Sequence, residues 1–192
     1  MNIKKWMCGV IAAPLLVAGC GDYNPFAATL PTAQTSITVF ALTGTPPAYP
    51  SGLNTYGQVA TRVDGNANFD VAFDINSDGN AVLYPVKLIV SSISGDRIVG
   101  LRKVPGTFDE VVSAPTGTYQ ADSAVVASVG DIVVVEANHG STGDVCYLNV
   151  SPNIYTKISV DSVNVVLHTV VIRTVLDPNC GFRSFATGIP TK

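Results

Sequence analysis

Apolar and polar residues alternate in short runs along most of the chain, and residues with strong turn preferences separate the runs. A period of two, rather than 3.6, predicts strands with one buried face. Candidate strands cover residues 37–43, 58–63, 69–75, 82–92, 98–104, 123–127, 132–137, 146–150, 157–160, 163–175 and 182–187. Between them lie Thr45-Pro46-Pro47, Pro50-Ser51-Gly52, Asp64-Gly65, Asp78-Gly79, Ser94-Gly95-Asp96, Pro115-Thr116-Gly117, Gly130-Asp131 and Asp177-Pro178-Asn179. Each of these breaks carries residues that preset or permit turn dihedrals. No long stretch has a helical period; a single helical turn is expected near residues 108–112. Many short strands at such spacing predict an all-β antiparallel β-sandwich, immunoglobulin-like or jelly-roll-like, with a closed antiparallel β-barrel as the alternative.

The Asp78-Gly79 pair predicts a two-residue hairpin loop. That loop would set Ile75 opposite Val82, Phe73 opposite Tyr84, Val71 opposite Val86 and Phe69 opposite Leu88, all on one face. Two segments break the alternation. Ile132-Val133-Val134-Val135 and Val170-Val171-Ile172 are apolar on both faces, so their outer side must be covered by long loops, such as 43–56, or by a partner.

Composition supports the strand reading. Val, Ile and Thr number 28, 12 and 17 of 192 residues, and these β-branched side chains suit a pleated surface. Charged residues make up only 13%, too few for a disordered chain or a coiled coil. The only tryptophan is Trp6, far from any candidate strand, so the core tryptophan of the strict immunoglobulin fold is missing.

The first 20 residues have a different character. Lys4 and Lys5 precede an apolar stretch from Trp6 to Ala18 that is too short to span a bilayer. This is the layout of a secretory signal. Its end, Leu16-Val17-Ala18-Gly19-Cys20, closely resembles the lipobox of bacterial lipoprotein precursors, with Val17 where Leu is the common residue. The resemblance covers these 20 residues only. It implies cleavage before Cys20 and lipidation of Cys20, and so a membrane partner reached through a lipid anchor. It also implies an outer-membrane location in a two-membrane cell, because Gly21 rather than an Asp follows the cysteine. The expected organisation is a signal peptide over 1–19, a lipidated cysteine and tether over 20–35, and a sandwich domain over 36–192. Without the signal peptide, nine basic residues face 14 acidic ones, a net charge of −5. An acidic chain with no Lys/Arg cluster argues against nucleic acid.

Cys8 leaves with the signal and Cys20 takes the lipid, so Cys146 and Cys180 remain as an even pair. In an exported chain this predicts a Cys146–Cys180 disulfide. Two segments raise the question of chemistry. Asp74, Asn76 and Asp78 match the first half of a calcium loop, D-x-N-x-D-G, but Pro85 stands where the bidentate Glu should be. The plainer reading of the same residues is the hairpin turn above. The 136–144 loop gathers Glu136, His139, Ser141 and Asp144, the residue types of a hydrolase site, though no G-x-S-x-G elbow occurs. Its plainer reading is a polar surface loop. His168 is expected inside the 163–175 strand as a hydrogen-bonded core or interface histidine, with Arg173 on the opposite face pairing with an Asp. The sequence therefore predicts no catalytic or metal residue outright. It favours a non-enzymatic binding or structural module with a protein or glycan partner. An envelope hydrolase and a calcium-stabilised adhesin-like domain are the alternatives.

Overall fold

Turn chemistry and proline placement decide where the strands stop. The computed structural model describes residues 26–64, 68–90 and 98–191. They form β1 (Ala33–Phe40), β2 (Gly52–Asn54), β3 (Val59–Thr61), β4 (Val71–Ile75), β5 (Ala81–Pro85), α1 (Val86–Ile89), β6 (Val99–Val104), β7 (Val125–Ala127), β8 (Ile132–Asn138), β9 (Asn153–Asn164) and β10 (Thr169–Asp177). One sheet has the order β1-β10-β9-β8-β6, the other β3-β2-β4-β5-β7. All pairings are antiparallel and neither sheet closes on itself, so the fold is a β-sandwich and not a barrel. The main core lies between the sheets, where Val39, Leu53, Phe73, Leu83, Leu101 and Ile172 are fully buried.

The β4–β5 hairpin forms at Asp78-Gly79, but with a different loop from the one expected. Asn76 and Asn80 pair, leaving the three residues Ser77, Asp78 and Gly79 as the loop, with Gly79 at φ +78°. The Asn76 Oδ1 accepts hydrogen bonds from the N–H groups of Asp78 and Asn80 and fixes this longer turn. The register slips by one residue: Phe73 pairs with Leu83, Ile75 with Ala81 and Val71 with Pro85. The slip is tolerated because both faces of the hairpin are apolar enough; Ala72 and Val82 are buried as well. The expected strand 82–92 ends at Pro85. This residue has no N–H to give, and the chain turns there into the four-residue α1.

Other strand boundaries also move. β1 starts at Ala33, inside the expected tether, and β2 adds a strand at the end of the expected covering loop 43–56. The expected strands 157–160 and 163–175 are in fact β9 and β10, joined by a turn over 165–168. The Asn164 Oδ1 accepts the N–H groups of Val166 and Leu167 there. His168 therefore sits in a turn at φ +51° and not inside a strand. Its ring packs on Gly44, where an added Cβ would approach His168 Cε1 to 2.6 Å. Residues 146–150 form turns instead of a strand, and of 182–187 only Ser184 bridges, to Ser113.

Of the two-sided apolar segments, the one in β8 is covered by loops, whereas Val171 of β10 stays half-buried. Val133 and Val135 of β8 join the main core, whereas Ile132 and Val134 face outward beneath Phe108, Ala114 and Phe185. The cover thus comes from the segment after β6 and from the C-terminal segment, not from 43–56. Its single helical turn is closed by Val111 N–H on Thr107 O and capped where Glu110 accepts from the Thr107 N–H and hydroxyl.

Candidate functional site

Of the residues proposed for chemistry, His139 and Asp144 come together, with Nδ1 3.1 Å from the carboxylate. β8 delivers this loop at one end of the sandwich. The His139 N–H donates to Pro152 O, its own carbonyl accepts from Cys146 N–H, and its ring lies 5.6 Å from that of Tyr56. Nε2 is buried without a hydrogen-bond partner, so the Ser141 hydroxyl is not bound to it. Ser141 instead uses its carbonyl to accept the Asp144 N–H. A Ser–His–Asp relay needs the histidine between acid and nucleophile. Here the histidine latches the loop to the strands. Glu136 is engaged separately, accepting the Tyr155 hydroxyl at 2.7 Å. Burial, and then the adjoining carboxylate, push the Tyr155 phenol well up; burial pushes Tyr119 beside it up to about 12.

The calcium candidates are spent on the hairpin. The Asp74 carboxylate accepts from the N–H and hydroxyl of Thr43 and from the Ile75 N–H. Asn76 holds the turn as described. Among the described residues, no group of three or more His, Cys, Asp and Glu is placed to hold a metal ion.

The sequence reading missed a polar layer beneath the cover. Lys157 of β9 is buried, and its ammonium donates to the carbonyls of Phe108 and Val111 at 2.6 and 2.9 Å, 4.0 Å from the Phe108 ring centroid. Burial holds its pKa below the ordinary lysine value. Arg173 stacks on Phe108 from 4.0 Å and pairs with Asp161 at 3.3 Å, which bears out the expected Arg–Asp pair. Asp177 is fully buried and accepts from Asn179 and Ser184; burial raises its pKa above the ordinary carboxyl value. A lysine amid the apolar residues of a strand was the available signal for this layer. The sequence alone does not show what covers it, because the covering loop has no periodic pattern.

The remaining feature is the end of the sandwich that carries the disulfide. Cys146 and Cys180 are bonded, with Cα atoms 5.7 Å apart, as the cysteine count predicts. Next to Cys180, the Asn179 side chain clasps the start of the described chain: its Oδ1 accepts the N–H groups of Thr29 and Leu30, and its Nδ2 donates to Leu30 O. A cleft of about 530 Å³ opens beside this clasp, lined by Phe26, Leu30, Leu148 and Phe182. A second, of about 390 Å³, is lined by Ile98, Tyr147, Val150 and Pro152. Asn149 lines both, so the two clefts flank one loop, 146–150.

Comparison with protein-family models, with curated proteins and with solved structures finds no match for this chain. The fold and the geometry of this end therefore carry the functional argument. Cys8 and Cys20, with the whole lipobox-like segment, lie outside the described residues. Among the described residues no helix is long and apolar enough to cross a membrane.

Proposed function

We propose that the chain is a bacterial lipoprotein precursor, cut before Cys20 and lipidated on that residue, whose β-sandwich serves at the envelope surface as a non-enzymatic binding or structural module. One observation carries the reading: the segment that follows Cys20 is fastened beside a formed disulfide. A disulfide-bonded sandwich belongs to an oxidising compartment. The Asn179 clasp at Thr29 and Leu30 fixes the end from which the tether leaves. The module reading is supported by how the polar side chains are used. His139, Asp74, Asn76 and Lys157 each hold loops or turns in place. No observation favours the hydrolase or calcium reading over this one. In a two-membrane cell the lipobox resemblance, with Gly21 after the cysteine, favours the outer membrane, and the partner in this reading is a protein or glycan of the envelope.

Metabolic labelling with a fatty acid tests the anchor. The wild-type chain takes up label and its mature form starts at Cys20. The Cys20→Ala variant takes up none and keeps the 1–19 segment. Label incorporated into the variant, or a mature wild-type chain with an unmodified start, refutes the proposal.

A further inference from the structure

The disulfide end exposes apolar side chains on both flanks of the 146–150 loop. Leu148 is 83% exposed and Val150 68%; Phe26, Leu30, Ile98 and Tyr147 lie about half exposed around them. Side chains of this kind in one contiguous area mark an interaction surface. Its position says what covers it. Cys20 lies six residues before Phe26, a stretch that reaches at most about 20 Å when fully extended. Charge agrees. No charged residue occurs from Phe26 to Thr61, and none of Lys or Arg from Asn138 to Thr156. At this end the Asp144 carboxylate is already held by His139 and by the Val145 N–H.

Resting on the anchored reading above, we propose that the 146–150 loop seats the domain on the bilayer: Leu148 and Val150 enter the headgroup–acyl boundary beside the Cys20 acyl chains. The ligand is the lipid surface itself, bound through apolar burial and not through headgroup charge. Tyr147, apolar in its ring and polar at its tip, suits the boundary layer. A second apolar contact of this kind adds to what acyl chains alone provide and fixes the orientation of the domain. The disulfide holds the loop in this position on the sandwich.

The test uses the mature, lipidated full chain in phosphatidylcholine vesicles. Trp6 leaves with the cleaved segment, so Leu148→Trp, Val150→Trp and Val166→Trp each supply a single reporter. Val166 is 82% exposed at the opposite end of the sandwich. All three sites are exposed enough to take the larger ring. At 148 and 150 the emission shifts to the blue on vesicle binding, and brominated acyl chains quench it, as an insertion depth of ~5–10 Å requires. At 166 the emission stays water-like and unquenched. Added salt and anionic lipid change neither result. Chains that float with the vesicles while 148 and 150 behave like 166 overturn the seating and leave the anchor standing. Chains that do not float and carry no acyl mass overturn both. Insertion that appears only with anionic lipid overturns the apolar basis.

Discussion

Reducing the Cys146–Cys180 bond should loosen one end of the sandwich without dissolving it. The bond closes a loop across a sequence separation of 34 residues. In the chain-entropy model such a loop contributes about 4 kcal/mol by restricting the unfolded chain. For a domain of this size that corresponds to a fall in Tm of roughly 8–15 °C. The remaining ties should keep the strands in register: β8 pairs with β9 down to Asn138 and Asn153, and Gly181 N–H donates to Asn153 O. The expected result is a cooperative transition at lower temperature, with hydrogen exchange in residues 145–150 gaining most and exchange in β8 and β9 rising only as far as the lower global stability dictates. A double variant, Cys146→Ala with Cys180→Ala, should lose about 1 kcal/mol more, because Cys146 is fully buried and alanine leaves a small void. Calorimetry with and without reductant measures the difference, and a mass gain of two hydrogens confirms that the bond was opened. A Tm that moves by less than about 3 °C after confirmed reduction would refute the reasoning, since the restricted unfolded chain would then contribute almost nothing.

Further outcomes follow from three buried groups. Lys157→Met strips the carbonyls of Phe108 and Val111 of their donor and should cost about 2–4 kcal/mol in urea unfolding, with the cover segment exchanging first. Because burial lowers the Lys157 pKa, the folded state binds that proton less tightly than the unfolded one. Wild-type stability should therefore rise, relative to Lys157→Met, as pH climbs through the window below the ordinary lysine pKa. For Asp177 the sign is opposite: its raised pKa means that the folded state holds the proton more tightly. Wild-type stability should then fall relative to Asp177→Asn as pH rises from about 4 through the raised value, read from urea midpoints at several pH values. Phe73→Ala empties a fully buried site in the main core and should cost about 3–5 kcal/mol, measured by the same unfolding.

Much of this fold is legible in the sequence because it rests on local chemistry. β6 and β8 form at the expected places, β8 on the β-branched run Ile132-Val133-Val134-Val135, and the glycine at 79 marks its hairpin. What escaped depends on competition between signals. An asparagine before the Asp-Gly pair lengthened the turn by one residue, and the strands accepted the slip because both faces are apolar. The turn between β9 and β10 was hidden by Val165, Val166 and Leu167, which read as strand although Asn164 caps a turn there. The cover that buries Ile132 and Val134 has no period at all. Its place is set by Lys157 and Arg173 gripping Phe108, contacts between segments far apart in the chain. For the site residues, the cysteine count located the disulfide, and the make-up of the 136–144 loop singled out His139 and Asp144 among its polar residues, but not that these two pair or what the pair does. That depends on Tyr56 and Pro152.

The twelve residues of β9 run the height of the molecule, from the disulfide end to the turn that bares Val165, Val166 and Leu167. At ~3.3 Å per residue this is a strut of roughly 35–40 Å, paired with β8 over 153–159 and with β10 over 155–164. Its two greasy ends cannot touch the same flat object. A partner that met the valine-tipped turn would stand off from the disulfide end by a distance set by strand length.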